Sequence, residues 1–338
     1  MSKDLKLNFL IVEPEENFVT RGIPSRKIAN KDHTYEIFDN VPIWVYDVDK
    51  MIITSIEKER AFMSDSLGML TPGKKVSLKE WDPKDTKNIK NKEEIRQETD
   101  QLKDRFAELQ SKLFTEKKQA VLFVFQGMDC SGKDGVIKQV FSNLNPAGVT
   151  VHSFKSPTTE ELSHDFLWRA HSVTPGRGYI AAFNRSYYED VLITRVHGQV
   201  SDKQAKRNIK HIKHFEQLLL DSGVKVVKIF LHISKQFQLE KLIDRIEKPR
   251  KNWKLDPSDL QERKFWKQYT QYYEEVLELS ATKQAPWYVV PSDNRWYRDY
   301  TVLRIAVQTL EEMKLSDPDP RPELKALLPE LYKERDKK

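Results

Sequence analysis

"AVLFVFQGMDCSGKDGVIKQVF", residues 120–141, decides the fold. Its first seven residues, Ala120 to Gln126, are almost continuously apolar, as expected of a strand buried on both faces. Gly127, Gly132 and Lys133 then fall in the register of the phosphate loop G-x-x-x-x-G-K-[ST]. After the loop, Val136, Ile137, Val140, Phe141 and Leu144 share one helical face, and Asn145-Pro146 with Gly148 stops the helix. Strand, glycine loop and helix in that order form the context such a loop requires. One position departs from the pattern. Asp134 stands where Ser or Thr would be, and a second carboxylate, Asp129, lies inside the loop. A loop built for anions carries two negative charges.

Outward from this unit, strand-like runs recur at 149–154, 178–184, 224–233 and 286–292, with helical stretches between most of them. The clearest helix, 201–223, opens on a capping box from Ser201 to Gln204 and closes on Gly223. This alternation predicts an α/β protein, a three-layer α/β/α domain with a five-stranded parallel sheet; the phosphate loop makes it a P-loop kinase fold, to which the basic segment 241–269 adds a helical lid. Ligands then bind at the carboxyl ends of the strands. Upstream, Ile95, Leu102, Phe106, Leu109 and Leu113 form one helical stripe. Residues 71–94 are polar and rich in turn formers, which reads as a loop or linker. The expected layout is an N-terminal extension of unassigned role over 1–70, linker and helix over 71–118, the kinase domain over 119–315 with its lid at 241–269, and a polar tail over 316–338. Within the extension, strand-like runs flank Pro42.

Composition narrows the classes. The 338 residues are 38% hydrophobic and 32% charged, as in a soluble globular protein, and the net charge of +6 permits an anionic substrate without requiring nucleic acid. No segment approaches the ~20 apolar residues that span a bilayer. One cysteine, Cys130, excludes an internal disulfide and fits a reducing compartment, read here as the cytoplasm. In the loop it reads as a small filler rather than a reactive thiol.

The chemistry-bearing residues cluster at predicted strand ends. Backbone N–H groups from Gly127 to Gly135 and the helix N-terminus favour phosphate, and Lys133 adds a point charge. Asp129 reads as a metal ligand or as a base towards an attacking phosphate. Asp134 either replaces the missing hydroxyl or sits in the first helical turn, where the dipole favours it. "FNRSYYEDV" (183–191) places Asn184, Arg185 and Glu189 at the end of the third strand, Arg185 as a phosphate fork and Glu189 as a further metal carboxylate. The segment 241–269 crowds Arg245, Lys251, Lys254 and other cations among aromatic residues, broken by Pro249 and Pro257. After the fourth strand it reads as a basic lid over a polyanion. Arg177 is expected near the same edge. The histidines show no zinc spacing, and His211 and His214 read as exposed.

Together "QGMDCSGKDG", "SFKSPTTEELSHDFLWR", "FNRSYYEDVLITRVH", "EKPRKNWKL" and "APWYVVPSDNRWY", in order from about Gly73 to Met313, resemble the family-2 polyphosphate kinases. "GMD…GKD" followed by "FNRSYYE" looks most like the class acting on both nucleoside mono- and diphosphates. Other classes typically show Asp at the place of Asn184 and lack the carboxylate of Glu189. Cys130 and Ser131 depart from the Ala or Thr common there. The resemblance implies Mg²⁺-dependent phosphoryl transfer between inorganic polyphosphate and AMP, ADP or ATP, with Mn²⁺ as an alternative ion and guanine nucleotides as further acceptors. It implies catalytic roles for Asp129, Lys133, Arg185 and Glu189, with Asp129 and Glu189 on the metal. Nucleotide and phosphate contacts then fall to Gly127, Gly132, Asp134, Gly135, Phe154, Lys155 and Asn184. Polyphosphate contacts fall to Lys133, Lys138, Arg245, Lys251 and Lys254. A homodimer or homotetramer is expected, with no nucleic-acid or membrane partner. The competing readings are an ATP-dependent nucleotide kinase of the same fold and an inactive polyphosphate- or nucleic-acid-binding protein.

Overall fold

A computed structural model describes residues 67–317 and 321–336, together with the backbone of an antiparallel hairpin, β1 (Ser25–Asn30) and β2 (His33–Phe38). The hairpin belongs to a unit of residues 1–60, which is distinct from the larger unit that follows. Part of the strand-like sequence before Pro42 falls in β2; residues 39–66 lie outside the described residues.

In the larger unit, Ala120–Gln126 forms β3, with every residue buried. β4 (Val149–Ser153), β5 (Ile180–Asn184), β6 (Val224–His232) and β7 (Trp287–Pro291) join it in one parallel sheet, ordered β4-β5-β3-β6-β7. From β3 the chain runs to one side through β4 and β5, then crosses to the other for β6 and β7. The strand order therefore reverses beside β3, and a crevice opens at its carboxyl end.

The apolar alternation of β3 is split between two cores. Ala120, Leu122 and Val124 face one side with Ile209, Ile212 and Phe215 of the helix Asp202–Asp221 and with Val276 and Leu277 of the helix Trp266–Ser280. Val121, Phe123 and Phe125 face the other with Phe106 and Leu109 of the helix Arg96–Glu116, Val140 of the helix Lys133–Phe141, and Ile305 of the helix Arg295–Glu312. Phe141 meets Phe123 edge-on, with ring centroids 5.6 Å apart, and so packs the phosphate-loop helix onto the sheet. Each such buried side chain contributes roughly 1.5–3 kcal/mol.

Two local readings are refined. The segment 71–94 is a loop with one 3₁₀ turn (Leu78–Glu80), as its sequence suggests, but it is anchored as a strap over the sheet's carboxyl edge. Val76 and Leu78 are buried, Leu78 N–H donates to Glu274 Oε1 (2.8 Å), and His232 Nε2 meets Trp81 O at 3.0 Å. Short polar sequence hid these few anchors. The strap is preceded by Leu67–Leu70, which packs on the domain: Val289 N–H donates to Gly68 O (2.8 Å) and Leu70 N–H to Trp287 O (2.8 Å). At Ser201, the hydroxyl accepts from Gln204 N–H (3.2 Å), but the Gln204 side chain donates to Asn208 Oδ1 (2.7 Å), so half the expected box is made. Among the described residues no helix is long and apolar enough to cross a membrane.

Candidate active site

The loop after β3 is shaped by backbone that few residues adopt. Gly127 and Gly132 have φ of 153° and 90°, and a side chain on Gly132 would run into the Arg298 guanidinium. Gly132 caps the Lys133–Phe141 helix without a side-chain bond, so the first-turn N–H groups stay free for an anion. Lys133 is buried and folds back on its own loop. Its Nζ donates to Gly127 O (2.8 Å) and Met128 O (3.3 Å) and lies 3.5 Å from Ser131 Oγ. Burial, followed by the positive charge of Arg185, pulls its pKa below the usual lysine value.

β5 supplies the second wall. Arg185 N–H donates to Phe125 O (3.0 Å), extending the ladder, and its φ of 61° is left-handed. For a non-glycine residue that costs about 1–2 kcal/mol. Its Nη2 donates to Asp129 Oδ1 at 2.8 Å. Glu189 accepts from Gln126 Nε2 at 3.2 Å. Glu189 first, then Asp129, hold Arg185 above its ordinary pKa against the opposing effect of burial. Asn184 Nδ2 donates to Asp134 Oδ1, so Asp134 sits in the first helical turn with a fixed partner.

These residues divide between two spaces. A groove of about 1040 Å³ is lined by Asp129, Gly132, Lys133, Asp134, Gly135, Lys138, Phe154, Lys155, Asn184, Arg185, Arg245, Lys251 and Lys254. Gly127 and Glu189 instead line a chamber of about 40 Å³, which also has Asp129 and Arg185 in its wall. Asp129 and Arg185 are therefore the partition between the two. Among the described residues, no three or more His, Cys, Asp or Glu side chains are grouped to hold a metal. Mg²⁺ is commonly held by one or two carboxylates with water and substrate phosphates, and Asp129 and Glu189 on one small polar chamber fit that donor set.

The lid consists of the end of the helix Lys235–Glu247, then a 3₁₀ segment, Pro249–Lys254, and a short helix, Pro257–Glu262. Its cations are engaged within the lid. Arg245 Nη1 donates to Lys254 O (3.1 Å) and Asp259 Oδ2 (3.2 Å), Lys248 and Lys251 both pair with Asp244, and Lys254 lies 4.9 Å from the Trp253 ring centroid. Arg177 is not on this edge. It precedes β5, where Gly178 N–H donates to Gln119 O (2.7 Å) at the amino end of the sheet. His211 and His214 are exposed. Burial pushes the Cys130 thiol up to about 11, so it is a neutral filler.

Three residues escaped the sequence reading. Arg298, 2% exposed, donates from Nη1 to Ser131 O (3.3 Å) and is itself held by Asp299 through Nε (2.8 Å) and Nη2 (2.6 Å). The run "DNRWYRD" after the last strand was the available signal. Gln126 is a polar end to an apolar strand, and its Oε1 is buried without a partner. Gln238 Nε2 donates to Asp129 O (3.1 Å) and its Oε1 accepts from Arg263 (2.8 Å), tying lid to loop; no sequence pattern marks it.

The family model for polyphosphate kinase 2 matches residues 89–318. The chain belongs to the polyphosphate kinase 2 family. It is 41% identical over 250 residues to the AMP/ADP-polyphosphate phosphotransferase of Meiothermus ruber, covering 74% of this chain and 94% of that one. It is 40% identical over 262 residues to the ADP-polyphosphate phosphotransferase of Rhodopseudomonas palustris, covering 74% and 91%. A crystal structure of polyphosphate kinase 2 from Arthrobacter aurescens TC1 superposes with a TM-score of 0.73 at 36% identity, covering 78% of this chain and 99% of that one. In this polyphosphate kinase 2 the loop, the Asn184–Glu189 segment and the lid all lie within the matched residues.

Proposed function

We propose that this enzyme transfers phosphoryl groups between inorganic polyphosphate and nucleotides, and that AMP and ADP are both acceptors at one Mg²⁺-dependent site. The observation that carries this is the partition of Asp129 and Arg185, a carboxylate and a guanidinium bonded at 2.8 Å inside a phosphate-binding loop. When donor and acceptor are both phosphates, no neutral hydroxyl must be deprotonated, and the barrier is mainly repulsion and positioning. A P–O bond at the end of the polyphosphate breaks as a terminal oxygen of the nucleotide bonds to that phosphorus. The donor leaves shortened by one phosphate.

The groove of about 1040 Å³ suits long anions, with Lys133 and the free loop N–H groups at its base and Lys138 and Lys155 on its walls. Arg185, in the wall of the groove, would meet the transferred group. Mg²⁺ held by Asp129 and Glu189, or Mn²⁺ in its place, would neutralise charge between the two chains. The purified chain with Mg²⁺, polyphosphate and either AMP or ADP is expected to form ADP and ATP. Turnover only with ATP as donor would favour a nucleotide kinase, and binding without turnover an inactive protein. GDP as acceptor tests the guanine reading. Exposed Leu324, Leu327, Leu328, Leu331 and Tyr332 near the C-terminus support a homodimer or homotetramer, which light scattering tests.

Glu189→Gln is expected to cost about tenfold more with AMP than with ADP. AMP is one phosphate shorter, so its attacking oxygen lies nearer the nucleoside and depends more on metal seated by Glu189. Initial rates with each acceptor at matched free Mg²⁺ decide, and equal losses would sink the reach argument.

The lid makes a second expectation. Arg245→Ala or Lys251→Ala with Lys254→Ala should raise KM for long-chain polyphosphate several-fold and leave the nucleotide KM within about twofold. Each lid cation must leave Asp259, Asp244 or Trp253 to meet a polyanion, which limits the effect. Added salt should imitate the variants, since exposed charges are screened over ~8 Å. A rise confined to the nucleotide KM would show that the lid serves the wrong substrate for this reading.

A further inference from the structure

Behind the segment that carries Arg185 and Glu189, the core holds an ion pair with no part in phosphate binding. Lys228, midway along β6, has a side chain 0% exposed, and Glu216, on the helix Asp202–Asp221, one 2% exposed. Lys228 Nζ donates to Glu216 Oε2 at 2.6 Å, Ser280 O at 2.8 Å and Tyr188 OH at 3.3 Å. Glu216 Oε1 accepts from Tyr187 OH (3.0 Å) and Tyr188 OH (2.8 Å). Every ammonium proton is used, and both carboxylate oxygens are engaged.

Stability alone does not require an ion pair here. Removing two ions from water is costly, and a packed apolar pair of similar volume often holds a fold as well or better. The consequence of the pair is geometric. Its hydrogen bonds end on the two tyrosines that lie between Arg185 and Glu189. The turn they occupy, Tyr187–Val191, is a single short 3₁₀ segment. Its own backbone bonds are few, among them Glu189 N–H to Ser186 O at 3.0 Å. It also follows a left-handed arginine, a conformation that persists only where the surroundings over-determine it. The phenols point into the core, while the flanking Arg185 and Glu189 line the site.

We propose that Glu216 and Lys228 are positioning residues for phosphoryl transfer: through Tyr187 and Tyr188 they hold Arg185 and Glu189 at their places in the site. The inference rests on the polyphosphate reaction proposed above. Misplacement of a reacting group by about 1 Å can cost 10²-fold in rate, and the network fixes both flanking groups from behind.

The test uses the full chain with polyphosphate, ADP and Mg²⁺. Glu216→Leu with Lys228→Met replaces the ions by apolar groups of similar volume. The expected result is a folded protein with a lower Tm, since the Tyr187 and Tyr188 hydroxyls and Ser280 O lose their partners, a kcat lower by 10- to 100-fold, and both KM values within twofold. Tyr188→Phe should show the same split with a kcat loss of 3- to 10-fold. A folded double variant with kcat within twofold, or a change confined to KM, would overturn the proposal. Should the double variant not fold, Tyr188→Phe and Tyr187→Phe decide by the same split, and normal kcat in both overturns it. If the unmodified protein turns over only with ATP as donor, the polyphosphate reading fails, and the same variants measured in that reaction still judge the network.

Discussion

Lys133→Met is expected to lower kcat/KM for ATP formation by about 10²–10³-fold while leaving the protein folded, the range seen when one transition-state charge stabiliser is removed. The Lys133 ammonium is buried at the base of the groove and held only by loop oxygens, Gly127 O at 2.8 Å foremost. Methionine fills similar volume without the charge. It leaves those carbonyls short of a donor, a cost of about 1–3 kcal/mol, but it also removes a buried ion. Tm should therefore move little while rate falls steeply. A pH profile adds a signature. Burial lowers the lysine pKa from 10.5, so in the free enzyme the charge is lost at a lower pH than usual. The alkaline limb of kcat/KM should accordingly begin below 10.5 and be missing from the variant. A folded Lys133→Met protein with kcat/KM within tenfold of the original would remove Lys133 from the reaction.

Asp129→Asn comes next, with a loss of about 10²–10³-fold in kcat. Asparagine keeps the size and can still meet Arg185, whose Nη2 now lies 2.8 Å from Asp129 Oδ1, but it cannot balance the guanidinium charge or bind a hard cation as a carboxylate does. The free Mg²⁺ needed for half-maximal rate should rise together with the loss in kcat. Steady-state rates across a Mg²⁺ titration, with near-UV circular dichroism to confirm the fold, would check it. Near-normal kcat in a folded variant would show that Asp129 neither seats metal nor supports the acceptor.

The sheet was legible in the sequence because its signals are local. An apolar run bounded by a glycine loop, and four more runs separated by amphipathic stretches, need no partner to be read. The loop residues and Arg185 were legible for the same reason. Each follows a strand, and the carboxyl ends of parallel strands converge. The loop over 71–94 was legible too, but not its anchoring as a strap, because two buried apolar residues, Val76 and Leu78, and a few long-range hydrogen bonds leave no periodic trace. Arg177 misled because its position in sequence, just before β5, says nothing of which end of the sheet it joins until the strand's direction is known.

What the sequence alone determined was which chemistry the chain can support: a phosphate loop with Asp129, Lys133 and Asp134, an Arg185–Glu189 segment after a strand, and a basic lid. What only the tertiary structure decided is how those charges are partnered. Asp134 is occupied by Asn184, Lys251 by Asp244 and Arg245 by Asp259, while Arg298 reaches the loop from 167 residues away in sequence. Glu216 and Lys228 gained a reason to be charged only when β6 and its neighbouring helix brought them beneath Tyr187 and Tyr188. The physical cause is the same throughout. Apolar burial follows short-range patterns, but Coulomb attraction and hydrogen bonds depend on distances of about 3 Å, and folding alone sets those between residues far apart in the chain.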